Sequence, residues 1–114
     1  MTTCLTVVTT TDAQESAAAL AESAVTARLA ACAQIVGPIT SVYRWEGKVE
    51  RAQEWQVVFK TTADRYPALE THIKAEHTYG VPEIIANPIV AGSAEYLAWV
   101  AAETAEPDGT PTRE

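Results

Sequence analysis

The chain has 114 residues, enough for one domain, and sets 8 Lys+Arg against 15 Asp+Glu for a formal charge of −7. That balance argues against a surface made to coat nucleic acid phosphates or anionic membrane, since both call for net positive charge. No stretch reaches the roughly 18 apolar residues of a membrane span and no basic-then-apolar leader opens the chain, so a cytoplasmic protein is expected.

Read in chain order, Cys4 to Thr10 is short and β-branched, a strand. Asp12 then opens a helix, with Glu15 three residues on as a variant capping box. Ala17, Leu20, Ala24, Ala27 and Ala31 follow at spacings of three and four and make a small, flat apolar stripe that can approach a sheet closely. A second strand starts at Ala33 to Val36, is interrupted by Gly37-Pro38 in a bulge or edge position, and resumes from Ile39 to Trp45. Glu46-Gly47-Lys48 is a turn. The run that follows to Thr62 places Trp55, Val57 and Phe59 on one face and Glu54, Gln56, Val58 and Lys60 on the other. This hairpin is longer than so small a domain needs, and its far end has to pack on something, a neighbouring subunit being the natural candidate.

Asp64 and Pro67 mark a second helix, with Tyr66, Leu69 and Ile73 on its apolar side and Gly80 as its stop. Pro82 to Val90 reads as a strand in which Pro88 implies an edge or a bend. Ser93 caps a last helix packed through Tyr96, Leu97, Trp99 and Val100. Residues 105–114 contain nothing to bury and are expected to form a disordered tail, leaving residues 1–104 as the single domain. The order β-α-β-β-α-β-α predicts an α+β, ferredoxin-like split βαβ sandwich with an added C-terminal helix. In that topology the first two strands are not neighbours, which disfavours a Cys4–Cys32 disulfide.

Composition points beyond one chain. The hydrophobic fraction of 47% leans on 21 alanines, while Leu, Ile, Val and Phe together number only 23. A core so lean predicts that part of the stabilising surface lies between subunits.

No G-x-S-x-G, P-loop, G-x-G-x-x-G or H-E-x-x-H occurs, which argues against a standard hydrolase. His72 and Glu76 sit at i,i+4, within reach of one ion, or simply on a solvated helix face. His77 lies at a helix-to-strand junction beside Tyr79, Pro82 and Glu83, where polar side chains commonly reach a cleft. Trp45, Glu54 and Lys60 form a second group. Glu54 and Lys60 share a strand face about 20 Å apart and cannot pair directly. Tyr43 and Trp45 line a pocket or cover a subunit contact.

Four separated segments carry a family resemblance: Ala30-Ala31-Cys32-Ala33, Ser41 to Lys48 (SVYRWEGK), Lys60-Thr61-Thr62 and His77 to Ile84 (HTYGVPEI). They occur in order along a chain that from about Cys4 to Glu103 resembles the CutA divalent-cation tolerance family. The resemblance implies a ferredoxin-like subunit in a compact homotrimer similar to that of PII-type signalling proteins, with long hairpins passing between subunits. It also implies a role in tolerance of copper and other divalent ions, with no established catalysis.

Two positions depart from the family pattern. His77-Thr78-Tyr79-Gly80 stands where the family usually reads His-Pro-Tyr-Glu, and Thr9 stands where some members place a cysteine proposed as a metal ligand. A harder donor set of His77, Glu76 and Glu83 would suit divalent ions other than soft copper.

The expectation is a non-catalytic homotrimer that binds or responds to a divalent metal such as Cu or Zn, without nucleic acid or membrane partners. His77 is its ligand or polar anchor, and Glu76 is a second metal-facing group. Tyr79 and Glu83 position His77, Lys60 supplies charge for an anionic ligand, and Trp45 walls the cleft between subunits. The alternatives are a PII-like regulator binding a small anion there, or a trimeric scaffold for protein partners.

Overall fold

The structure is a computed structural model that describes residues 2–105; the tail expected at 105–114 therefore lies, apart from Ala105, outside the described residues. Its elements are β1 (Cys4–Thr11), α1 (Gln14–Thr26), β2 (Cys32–Trp45), β3 (Lys48–Thr62), α2 (Tyr66–Glu76), β4 (Ile85–Pro88) and α3 (Ala94–Glu103). The strands form one antiparallel sheet in the order β2-β3-β1-β4. The β1-α1-β2 and β3-α2-β4 units thus interleave, which is the split βαβ arrangement. No helix among the described residues is long and apolar enough to cross a membrane.

Strand alternation sorts the side chains onto two faces. Val7, Val57 and Phe59 point to one face and are fully buried beneath Ala17, Leu20, Ala21 and Ala24 of α1 and Leu69 and Ile73 of α2. Alanine on α1 gives the helix little to hold it off the sheet, and this is how a chain poor in large side chains still closes a core. Trp55, partly buried, packs against the same core. Cys4 and Lys60 point to the opposite face, where α3 settles at one end through Val100 and Leu97 against Cys4, Ala31 and Ile89.

Several boundaries differ from the sequence expectation. Helix α1 begins after Ala13, which caps it without a side-chain bond; Asp12 is not the cap. The helix ends at Thr26, so Ala27 is its C-cap and Ala31 joins the smaller core under α3. Helix α2 stops at Glu76 because His77 takes an extended backbone, three residues before Gly80. Strand β4 is only four residues long and lies at the sheet edge, since Pro82 and Pro88 lack the N–H a longer ladder requires. The Ser93 cap is as read: its Oγ accepts the Tyr96 N–H at 3.2 Å.

Strand β2 runs unbroken through Gly37-Pro38, with a register shift between Val36 and Ile39. The hairpin then closes on Glu46 and Gly47, at φ 51° and 81°, the twin positive values of a type I′ turn. Fifteen residues of β3 reach roughly 50 Å, in keeping with the 51 × 28 × 23 Å envelope. The distal half of this arm lies beyond any helix, and Val42, Tyr43, Trp45 and Val49 on it are 60%, 43%, 51% and 69% exposed.

Candidate functional site

The strongest polar constellation gathers where β1 ends. The last β1–β3 pair is Thr11–Trp55, so Glu54 is the first β3 residue left without a β1 neighbour. The α2–β4 connection brings Tyr79 there, and its Oη donates to Glu54 Oε2 at 2.7 Å. Glu54 is only 8% exposed, a carboxylate that requires such a donor. Burial first, then the hydrogen bond to Glu54 and the negative charges of Glu54 and Asp12, push the Tyr79 phenol well above its usual range.

His77 anchors the same connection. Its Nε2 lies 2.8 Å from the Thr10 carbonyl, which can only accept, so Nε2 carries the hydrogen. Its Nδ1 accepts the Tyr79 N–H at 3.1 Å, and the two rings sit 4.8 Å apart. Both ring nitrogens are therefore engaged by backbone, and a metal ion would have to displace one of them. His77 and Glu76, with Thr11, Ser16, Leu20 and Thr78, also line a shallow cleft of about 160 Å³ between the start of α1 and the end of α2. His72 is not part of this group. Its Nε2 is 2.8 Å from Ser23 Oγ, a bond between α1 and α2.

The remaining expected residues lie elsewhere. Lys60 Nζ donates to Gln34 Oε1 at 2.6 Å and lies 4.0 Å from Cys32 Sγ, beside the Tyr96 hydroxyl, itself 3.4 Å from that sulfur. The hydrogen bond with Cys32, more than burial, pushes the Tyr96 phenol up to about 12. Trp45 is at the hairpin tip opposite Lys48, twelve residues along β3 from Lys60, which is roughly 40 Å. Glu83 is exposed in the α2–β4 connection. One chain thus unites His77, Tyr79 and Glu76, whereas Lys60 and Trp45 stand far apart.

The donor chemistry does not fit a metal held by one chain. Among the described residues no group of three or more His, Cys, Asp or Glu side chains converges to hold an ion. Thr9, at the position of the family's cysteine, is fully buried in the core, and its hydroxyl finds no partner among the described residues. Cys4 and Cys32 are both free thiols, with β3 and β1 side by side between β2 and β4.

The Glu54–Tyr79 bond has no sequence signal at the level of spacing. Glu54 reads as one more polar position in a half-exposed strand, and only the length of β1 decides that Tyr79 covers it. The bond between Lys60 and Gln34 follows from the register, which makes Gln34 the partner of Val58, diagonal to Lys60.

Comparison with known proteins sets this geometry in a family. Residues 5–103 match the family model for the CutA1 divalent ion tolerance protein. The chain is similar to the divalent-cation tolerance protein CutA of Thermus thermophilus, with 45% identity over 98 residues, 86% of this chain and 95% of that protein. A CutA of Escherichia coli is 38% identical over 99 residues, 87% and 88% of the two chains. The chloroplastic CutA 1 of Oryza sativa is 45% identical, though this chain spans only 52% of that protein. Among solved structures, the divalent cation tolerance protein Cut A1 from Thermus thermophilus superposes with a TM-score of 0.87 at 44% identity, covering 89% of this chain and 98% of that one. CutA1 from a psychrotrophic Shewanella species gives 0.86 at 35% identity, with 91% and 95% covered. A match to the family model over nearly the whole described chain, together with relatives of this identity and coverage, means that the chain belongs to the CutA1 divalent ion tolerance protein family.

Proposed function

We propose that this protein acts in the cytoplasmic tolerance of, or response to, copper-class divalent metal ions, as a non-catalytic, PII-like homotrimer. The names of its relatives support divalent-cation tolerance; copper and the cytoplasm are this reading's own additions. The observation that carries the homotrimer is the bare arm of the hairpin. Tyr43 and Trp45 on one face, and Val42 and Val49 on the other, stand on a β-ribbon that no other described element covers, and a two-stranded ribbon is marginal in water by itself. Val36 and Ile85, 47% and 50% exposed, extend the apolar surface across the sheet. A second and third copy laid on these surfaces would supply the burial that the alanine-rich core lacks.

In this reading the cleft between copies is the working part. Trp45 of one copy walls it, and Glu76 and Glu83 offer exposed carboxylates to a cation. His77 and Tyr79 hold the connection that presents them. Among the described residues no full donor set converges, so this reading assigns metal recognition to the assembly. A chain charge of −7 concentrates cations near such an assembly at low salt without defining a site.

The deciding experiment measures mass by light scattering through a dilution series, with and without Cu²⁺, Zn²⁺ or Ni²⁺, for the parent chain and for His77→Ala. The expected result is a mass three times that of the chain at high concentration, with saturable metal binding, followed by titration, weakened by the substitution. A mass of one chain at every concentration sinks the trimer. Absence of saturable binding in parent and variant alike sinks the metal reading.

The alternative of a small anionic ligand finds one supporting feature. Lys60 donates to a neutral amide, which leaves the ammonium charge uncancelled by that contact. Thermal-shift screening of metabolites, with loss of any hit in Lys60→Ala, tests it.

A further inference from the structure

Helix α1 ends in a left-handed residue, and that residue is an arginine. Arg28 has φ 60°. Its N–H bonds the Val25 carbonyl at 3.0 Å and the Leu29 N–H bonds the Ala24 carbonyl at 2.9 Å, the paired bonds of a Schellman ending. Glycine is favoured there because a Cβ carries a steric cost in this conformation. The side chain supplies a reason to accept the cost. Its guanidinium crosses to the C-terminus of α3, where Nη2 donates to Ala102 O at 3.0 Å and Nε to Ala105 O at 3.3 Å. Ala102 O lies in the last turn of α3, at the negative end of its dipole, where it also accepts the Ala105 N–H at 3.4 Å, and Ala105 O lies just past the Thr104 C-cap. Glu103 lies 3.9 Å from Nη1, a long and exposed ion pair that adds little. From the other side Arg65 Nη2 reaches the Arg28 carbonyl at 3.5 Å, tying the turn to the start of α2.

What α3 covers gives the clamp its consequence. The chain has two cysteines; Cys4 lies beneath this helix and Cys32, half-buried, sits at its edge. Cys4 is 5% exposed, packed against Val100 and Leu97, with its sulfur 3.8 Å from the Leu97 carbonyl. Cys32 has its sulfur 3.4 Å from Tyr96 Oη. Apart from Val100 and Thr104, no residue of α3 or its C-cap is fully buried. A helix with so small an apolar footprint is the kind of element that opens locally, well below the free energy of global unfolding.

We propose that α3 is a latched cover over the Cys4 thiol, and that the strained Arg28 is the latch. The clamp sets how often the helix lifts and so how readily a thiol-reactive species reaches Cys4. It links the end of α1, the start of α2 and the end of α3 at one corner of the fold, so whatever disturbs that corner changes thiol access on the far face of the sheet.

The test uses the full chain carrying Cys32→Ser, so that Cys4 alone reports. Maleimide labelling is followed without denaturant for the Arg28 protein, Arg28→Ala and Arg28→Gly. Both substitutions remove the clamp, and labelling should accelerate about tenfold. Arg28→Gly also relieves the backbone, so its midpoint of chemical denaturation should match or exceed the parent's while its thiol opens faster. Amide exchange should rise through Leu97 to Thr104 and stay unchanged in α1 at Leu20 and Ala21. Labelling of Arg28→Gly at the parental rate overturns the latch. So does an exchange increase spread equally over α1 and α3, because opening would then be global. Should Arg28→Ala fail to fold, Arg28→Gly decides the matter alone.

Discussion

The two ends of the β2–β3 hairpin are built from the same alternating pattern and end in opposite environments. At the root, Val57 and Phe59 are wholly buried under α1 and α2. At the tip, Tyr43 and Trp45 alternate just as regularly and stand about half exposed. Period-2 patterning says that a strand has an apolar face; it does not say which molecule covers it. The root finds its cover within the chain because α1 and α2 are long enough to span it. No described element follows the arm outward, so within one chain its apolar faces stand open.

Truncating one aromatic at each end should separate root from tip most strongly. Phe59→Ala leaves a cavity in a closed core and should cost about 3–5 kcal/mol in chemical denaturation, at every protein concentration. Trp45→Ala should cost less than about 1 kcal/mol for an isolated chain, because a half-exposed side chain loses little on truncation. Its penalty should grow with protein concentration as the parent gains assembly energy that the variant lacks. If Trp45→Ala matches Phe59→Ala at high dilution, the tip is packed within its own subunit and the contrast fails.

The boundary between the two regimes is Gly37. A Cβ there would stand 2.6 Å from Trp55 Cδ1 and 3.1 Å from the Glu54 carbonyl. The close atoms, Cδ1 and Cγ at 2.6 and 2.9 Å, lie at the root of an indole that packs against the core, so the ring as a whole would have to shift. Gly37→Ala should therefore destabilise by about 1–3 kcal/mol, with near-ultraviolet circular dichroism showing a displaced tryptophan. A variant as stable as the parent would mean that root and tip are not separated by a fixed contact at this point.

Much of this architecture is legible in the sequence, because it follows from local rules. β-branched runs, turn residues and the Ser93 cap each act over a few positions, and they place seven elements in the right order. The misplaced ends share one cause. Asp12 and Gly80 look like a cap and a stop by residue type, yet Thr11 Oγ1 donates to the Ala13 carbonyl and His77 leaves the helix to reach Thr10. Contacts made outside the helix, in the second case to a strand far away in sequence, override the local preference. The candidate site is less legible for the same reason. His77 and Tyr79 are close enough in sequence to be read together, whereas Glu54 joins them only because β1 stops at Thr11. Arg28 gives no sign, since nothing in a helical stretch announces which residue will turn left-handed.

The Glu54–Tyr79 contact lies between root and tip, and alkaline pH probes it. The ordinary tyrosine value is 10.0, and the folded protein holds Tyr79 above it through burial and the neighbouring carboxylate. Below that value the phenol is neutral in folded and unfolded chains alike, and its contribution is fully present. As pH rises past it the unfolded chain ionises first, binds fewer protons than the folded one, and stability is lost toward the folded value. Tyr96, pushed up to about 12, adds to the same window. Tyr79→Phe should lower stability at neutral pH by about 1 kcal/mol, through the lost donor to a buried carboxylate. Its denaturation midpoint should also fall less steeply than the parent's above about pH 10. A slope equal to the parent's would show that the hydroxyl is not held in the folded state.

The smallest expected effect lies at the far end of the arm, where the hairpin turns. Glu46 and Gly47 both have positive φ, and only the second is the residue type that accepts it without strain. Asparagine tolerates the left-handed region better than glutamate, and Asn-Gly is the preferred pair for a type I′ turn. Glu46→Asn should therefore stabilise the turn by a few tenths of a kcal/mol. Where that energy appears depends on whether the arm is ordered by itself. If the tip forms only when another copy covers it, the substitution lowers the cost of ordering it and tightens association, moving the dilution midpoint while leaving a dilute chain unchanged. If the ribbon is rigid in a lone subunit, the gain appears in the denaturation midpoint at every concentration, and root and tip are then one cooperative unit despite their different exposure.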